Sequence, residues 1–378
     1  MQAERIVVRH VRLPLRQPFV TALGVERQRD VVIVEAHGGG VVGYGEAPVL
    51  AYPAYNEETV QTAWHVLNDV LVPRLLSEPL AGPSDAVRIA ASVRGHAMAK
   101  AALEGALWDL WAKGEGRPLS ECLGGSAHRV PAGAVVGLIP DTRELVRAVE
   151  RKLAQGYRRV KIKIKPGWDL TPLREIRRAF AGAPLAADAN GAYRPSEADV
   201  LLRLDELNLD MIEQPFPWDH LVDHARLQAR LATPVCLDEG ISTPQQVRDA
   251  LALGSARTFN VKPGRLGGLS AALAVHRLCR EAGIAVWCGG LLESGVGRAH
   301  NLALASLEGF SLPGDLSPPG EYLLEDIVEP ALVLDSDGHV AIPDGPGIGV
   351  RVREDVLDGL TVRRRIHRAS GRLGTSGP

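Results

Sequence analysis

Eight positions spaced almost evenly along half of the chain constrain its fold more than any other feature. Leu138, Lys163, Asp188, Glu213, Asp238, Lys262, Trp287 and Leu312 follow one another at steps of 25, 25, 25, 25, 24, 25 and 25 residues, and they mark the ends of short strand-like runs. Between the runs lie amphipathic stretches such as TRELVRAVERKLAQGY, whose apolar positions recur at helical spacing. A step of this length suits a strand of roughly five residues, a helix and two loops, and eight such units are what a TIM-type barrel requires. The pattern predicts an α/β barrel over residues 129–322.

The flanks read differently. IVVRHVRLPL, VVIVEA and VVGYG alternate as strands of an antiparallel sheet, with Gly38 to Gly40 turning the last two. Residues 56–76 and 97–114 carry helical spacing, through Met98, Ala101, Ala102, Leu107, Trp108 and Trp111, until Gly114 ends the pattern. Together they predict an α+β domain over residues 1–128. PALVLDSDGHVAIP reads as a hairpin turning at Asp337-Gly338, within a segment 323–378 that returns to complete the N-terminal domain. Its end, RRRIHRASGRLGTSGP, reads as a loose tail rather than a nucleic-acid arm.

With 46% hydrophobic and 23% charged residues and a formal net charge of −2, the chain carries no nucleic-acid footprint. It has no apolar run near the roughly 18 residues of a membrane span, and its first residues are too charged for a signal peptide. The expectation is a cytoplasmic protein without membrane or nucleic-acid partners. Cys122, Cys236, Cys279 and Cys288 form no CxxC pair and are expected to be reduced core residues.

Catalytic groups in such barrels sit at the C-terminal ends of strands. Five successive ends here are Lys163, Asp188, Glu213, Asp238 and Lys262, all ionisable. In RVKIKI the period of two turns Lys161 and Lys163 inward and Ile162 and Ile164 outward. A structural ion-pair network is the plainer explanation for any one of these residues. Three carboxylates on consecutive strands favour a shared hard cation, because like charges are costly to bury together without one. Asn190 and Glu239 are expected to support the ligands, with Gln214 turned elsewhere. Lys163 and Lys262 then oppose one another across a bound carboxylate, whose α-proton either can reach. A lysine base needs its pKa lowered, and both a metal cation and Lys161 act in that direction.

The motifs K-x-K (Lys161, Lys163), D-x-N (Asp188, Asn190), IEQP, LDEG and NVKPGRLGG resemble those of the enolase superfamily in its muconate-lactonizing subgroup. A lysine base with a magnesium-stabilised enediolate is the established pattern there. YRRVKIKIKPGWD, DANGAY, IEQPFPWDHLVDHA, VWCGGLLESGVGRAHNLALASL and LPGD are most similar to N-acylamino acid (N-succinylamino acid) racemases and o-succinylbenzoate synthases. The resemblance implies a (β/α)7β barrel beneath the capping domain, Mg2+ on Asp188, Glu213 and Asp238 with Mn2+ or Co2+ able to substitute, and Lys163 and Lys262 as the acid/base pair. It also implies that Arg265 sits close to the second lysine, and that the chain is a homo-oligomer acting on a small carboxylate. Residues 18–30 are expected to close over substrate, with Phe19, Thr21, Tyr52, Tyr55, Gly290 and Leu291 as pocket candidates. Taken singly, aromatics beside a proline are more often local packing, and the glycines of SGVGRAH a tight turn. His300 is expected to pack on a helix without a metal role. Gly191 and Gly240 stand where relatives often carry serine, and Pro263 follows the lysine directly, so the substrate detail stays open.

Two activities follow from the resemblance: racemisation of N-acyl amino acids, or syn dehydration to o-succinylbenzoate with Lys163 as base and acid. A Schiff-base aldolase would leave the three carboxylates without a purpose. A binding protein derived from the barrel would have no use for the filled catalytic positions.

Overall fold

The computed structural model of the chain describes residues 3–369. Strands β1 (Arg5–Thr21), β2 (Gly24–Gly38) and β3 (Val41–Ala47) form an antiparallel sheet. Gly39 and Gly40, both at positive φ (58° and 78°), make the two-residue turn between β2 and β3 that such hairpins favour. One face of the sheet, with Ile6, Val8, Val32 and Val34, buries against Leu67, Leu71, Leu103 and Leu107 of two helical segments. These are the run Val60–Ser77, with a π-helical middle at Val66–Leu71, and the helix Ala97–Gly114.

β3 lies directly on the backbone of that second helix because Gly43 and Gly45 have no side chain. A Cβ on Gly45 would come 2.0 Å from the Ala102 carbonyl oxygen, and one on Gly43 2.2 Å from that of Ala106. Neither obstacle is a movable side chain, so Gly45→Ala is expected to destabilise the fold by about 3 kcal/mol, read by chemical denaturation.

Residues 18–30, expected to close over substrate, form a β1–β2 hairpin arm. Pairing lapses between Pro14 and Phe19, where prolines cannot serve the ladder, and resumes at Phe19↔Glu26. The arm reaches the barrel-like C-terminal domain, called the barrel below, where Leu138 N–H donates to the Val20 carbonyl at 3.0 Å.

After β4 (Arg129–Pro131), seven parallel strands form one sheet in sequence order: β5 (Gly133–Val136), β6 (Arg159–Lys163), β7 (Leu185–Asp188), β8 (Ile212–Glu213), β9 (Val235–Leu237), β10 (Thr258–Val261) and β11 (Val286–Cys288). Helices follow them, for example Thr142–Ala154, which is capped by Asp141 and buries Leu145, Ala148 and Val149. The eighth unit corrects the strand expected near Leu312. That segment makes only isolated bridges, Phe310 to Val286 and Gly314 to Ala132, and Gly314 approaches the Cys288 carbonyl too closely for any side chain there.

Beyond it, β12 (Val328–Glu329) pairs with β14 (Arg351–Val352), and β13 (His339–Ala341) pairs with β4. The turn at Asp337-Gly338 is present, yet the expected hairpin is reduced to one bridge, Leu334 to Val340, because β4 takes the strand. The basic tail also needs correction: β15 (Thr361–Arg368) adds to the edge of the N-terminal sheet beside β1. Arg363, Arg365 and His367 bond Gln61, Asp69 and Asn68, which secures one face of β15. Residues 370–378 of that expected tail lie outside the described residues.

Two buried carboxylates bind the N-terminal sheet and helix to the barrel. Glu46 accepts from Ser294 and Gly297 N–H at 3.1 and 3.0 Å, at the start of the helix Gly295–Ala305. Glu104 accepts from Ser270 N–H at 3.0 Å, at the start of the helix Leu269–Glu281. Anionic groups at helix N-termini satisfy the free N–H groups there. They also fix the loops after β10 and β11 beneath the N-terminal domain. Among the described residues no helix is long and apolar enough to cross a membrane, and the four cysteines are free thiols, Cys122 half-buried and the rest buried.

Candidate active site

The 25-residue spacing places its charged residues together. Lys163, Asp188 and Glu213 pair in register at the ends of β6, β7 and β8, while Asp238 and Lys262 immediately follow β9 and β10. All five side chains are buried, as are Lys161 and Arg265. Lys161 Nζ bridges Glu213 Oε2 (2.6 Å), Asp188 Oδ2 (3.0 Å) and Asp315 Oδ2 (2.5 Å). Lys163 Nζ meets Asp188 Oδ2 and Asn190 Oδ1, both at 2.7 Å. Lys262 Nζ lies 2.7 Å from Asp238 Oδ2, and Arg265 donates to Asp238 Oδ1.

Supporting residues are held from behind. Asn190 is turned inward by a left-handed backbone (φ 44°), which asparagine tolerates, rather than by continuation of β7. Its Nδ2 donates to Glu239 Oε1 at 2.8 Å. Gln214, also left-handed at φ 39°, accepts from the N–H groups of Asp238 and Gly240 at 3.0 Å and so shapes the turn that carries Asp238. Asn260 donates to Glu213 Oε1 at 2.8 Å.

A cavity of about 1330 Å³ opens above these groups, lined by Lys161, Lys163, Asp188, Asn190 and Lys262 on its floor. Phe19, Thr21, Tyr52, Tyr55, Gly290 and Leu291 all line it as well. They do so differently: Tyr52 is 75% exposed, whereas the Tyr55 hydroxyl is engaged with the floor, donating to Asp238 Oδ1 at 2.8 Å. His300 spans the Val296 and Gly105 carbonyls, a packing contact between the barrel and the helix Ala97–Gly114.

Asp315 is a further buried acid that the strand-end pattern passes over. It meets Lys161 and Arg159, and Arg159 in turn stacks on Trp287, whose ring centre lies 4.4 Å away. Its signal was the D of LPGD, three residues beyond the last repeat position. Arg298, inside SGVGRAH, lies 3.0 Å from Glu293 Oε2 and 2.8 Å from the Asp315 carbonyl, also on the cavity wall.

Among the described residues no three Asp, Glu, His or Cys side chains converge as a ligand set. The three carboxylates turn instead to ammonium and guanidinium groups, which supply the countercharge that burial demands. The electrostatics still suit a hard cation. Burial and the Asp188 charge push Glu213 up to about 8, and burial with Asp238 pushes Glu239 up to about 7. Glu239 Oε2 is buried without a hydrogen-bond partner. Burial opposes ionisation of Asp188, yet Lys161 and Lys163 outweigh it and hold the carboxyl down at about 2. A dication among these oxygens would relieve the strain on Glu213 and Glu239, and oxygen-only donors select Mg2+ or Mn2+.

The lowering expected of a lysine base depends on a bound cation, and in the protein alone Lys262 moves the other way. Burial favours its neutral amine, but the adjacent Asp238 carboxylate outweighs that and holds it well above the ordinary lysine range.

Comparison with known proteins decides the lineage. Residues 3–124 match the mandelate racemase/muconate lactonizing enzyme N-terminal domain, and residues 144–356 match the enolase C-terminal domain-like family. The chain belongs to the enolase superfamily. Within the superfamily it is 49% identical to an o-succinylbenzoate synthase of Geobacillus stearothermophilus over 92% of this chain and 93% of that one. It is 47% identical to an N-succinylamino acid racemase of Thermus thermophilus over 98% and 100%. A solved enolase-superfamily structure from Listeria innocua superposes with a TM-score of 0.94 at 38% identity, over 98% of this chain and all of that one. The chain is therefore an enzyme of the lyase or racemase type.

Proposed function

We propose that this enzyme interconverts the enantiomers of N-acyl amino acids, N-succinyl ones foremost, by moving the α-proton between Lys163 and Lys262. The observation that carries the reading is the pair of buried amines. They stand on β6 and just after β10, with β7, β8 and β9 between them in the sheet, and both open on the same cavity. A barrel with two proton-transfer groups on opposite sides of its mouth can serve both faces of one carbon.

Asp188, Glu213 and Asp238 would hold a magnesium ion, with manganese or cobalt as substitutes. When bound, the ion supplies countercharge to the substrate carboxylate and to the charge that develops as the α-proton leaves. The chain's own groups do the rest. In one direction Lys163, as the free amine, takes the α-proton and Lys262, as the ammonium, delivers one to the opposite face; in the reverse direction the protonation states and the roles exchange. Lys161 sets a fixed positive charge beside Lys163. The β1–β2 arm and the Tyr52–Tyr55 segment, both on the cavity wall, exclude water from the reacting carbon.

The name and similarity of the Geobacillus relative favour a second reading, dehydration to o-succinylbenzoate at the same site. There Lys163 acts as base and then acid, and Lys262 serves only as a positive charge. Incubating the Mg2+ enzyme with N-succinyl amino acids and, separately, with the o-succinylbenzoate precursor tests both. Racemisation of at least one N-acyl amino acid is the expected result. Turnover of the precursor alone would leave only the second reading standing.

A further inference from the structure

We infer that Tyr55 is a positioning residue for Lys262, so that proton transfer on one face of the substrate depends on the N-terminal domain while transfer on the other does not. The inference rests on the two-lysine reading above.

The two lysines are held in unlike ways. Lys163 is bonded to Asp188 and Asn190, and behind them stands Glu239; every one of these groups belongs to the barrel. Lys262 has one barrel carboxylate, Asp238, and its other neighbour is Tyr55, 207 residues earlier in the chain. The Tyr55 hydroxyl is 3.2 Å from Lys262 Nζ, and the ammonium also lies 4.9 Å from the centre of the tyrosine ring. That hydroxyl donates to Asp238 Oδ1 at 2.8 Å and accepts from Arg265 at 3.2 Å. One phenol thus ties the amine, its carboxylate and the guanidinium beside it into a single constellation, and its ring limits where the ammonium can swing.

Tyr55 is delivered by a short segment fixed at its base. Leu50 bridges Thr59, and the buried Glu58 accepts from Met98 and Ala99 N–H at 2.6 and 3.0 Å, at the start of the helix Ala97–Gly114. The same helix is bound to the barrel through Glu104 and Ser270, close behind Arg265. Lys262 and Tyr55 are therefore placed by one connected set of contacts, none of which reaches Lys163.

The test follows exchange of the α-proton of N-succinyl-L-phenylalanine and N-succinyl-D-phenylalanine in deuterium oxide with Mg2+. Lys163→Ala and Lys262→Ala first assign each enantiomer to the lysine that faces its proton. Tyr55→Phe is expected to slow exchange of the Lys262-facing enantiomer about tenfold and to leave the other within about twofold, the scale of one lost hydrogen bond. Tyr55→Leu, which also removes the ring face, is expected to deepen the same one-sided loss. Magnesium affinity of Tyr55→Phe, read by calorimetry without substrate, is expected to fall by no more than about tenfold, because the hydroxyl makes one hydrogen bond to Asp238. Equal losses on both faces, no loss on either, or a larger fall in metal affinity would each overturn the assignment of Tyr55 while leaving the two-lysine reading intact. A wild-type enzyme that exchanges neither enantiomer would instead overturn that reading.

Discussion

Replacing Lys262 by alanine is expected to lower racemisation about a thousandfold or more in both directions, while one enantiomer still exchanges its α-proton with solvent. The two enantiomers are equal in energy, so loss of either acid/base group slows both directions of the interconversion alike. Exchange is different, because it needs only the lysine that faces the departing proton. Lys163→Ala should therefore show the mirror-image pattern, with the other enantiomer retaining exchange. The folds of both variants are expected to survive. Asp238 keeps Arg265 and Tyr55 when Lys262 is cut back, and Asp188 keeps Lys161 when Lys163 is. Each remaining carboxylate thus has a partner, which avoids the cost of an isolated buried charge. Proton NMR in deuterium oxide with each pure enantiomer reads the outcome. If one variant lost exchange from both enantiomers and the other lost none, a single base would be at work, and the dehydration reading would gain.

Removing divalent metal with EDTA is expected to abolish α-exchange by about a thousandfold or more, with recovery on adding Mg2+ or Mn2+. The same metal should stabilise the protein in a pH-dependent way. Glu213, pushed up to about 8, holds a proton in the folded chain over a range where the unfolded chain has released it. Without metal, that group's contribution to stability is greatest below the ordinary glutamate range and declines as pH rises toward about 8. Metal must displace the same proton, so its affinity climbs across the same interval. Melting temperatures with and without Mg2+ should consequently diverge as pH rises from the ordinary glutamate range toward about 8, and run parallel above it. A constant difference across that range would remove Glu213 from the ligand set.

Much of this site was legible in the sequence because a barrel converts regular spacing into proximity. Lys163, Asp188, Glu213, Asp238 and Lys262 could be placed on one rim from the step of 25 residues alone, since each step returns the chain to the same end of the sheet. The inward set of Lys161 and Lys163 followed from strand alternation. What periodicity cannot express is irregular backbone. Asn190 and Gln214 reach their partners through left-handed turns, and the eighth unit meets its neighbours through two bridges rather than a strand. The basic run at 363–368 looks like a frayed tail by composition, yet its alternate residues find Gln61, Asp69 and Asn68 on the helical run Val60–Ser77. Tyr55 was visible as a pocket aromatic, but its bond to Asp238 spans 183 residues and two sheets, a separation on which local pattern is silent.

The most direct measurement is anomalous diffraction from crystals grown with Mn2+ near pH 8. The account predicts one strong peak with an oxygen of each of Asp188, Glu213 and Asp238 at about 2.2 Å, and Lys161 drawn off the Asp188 and Glu213 oxygens. Lys161 still bridging Asp188 and Glu213, with manganese either absent or bound elsewhere, would contradict it.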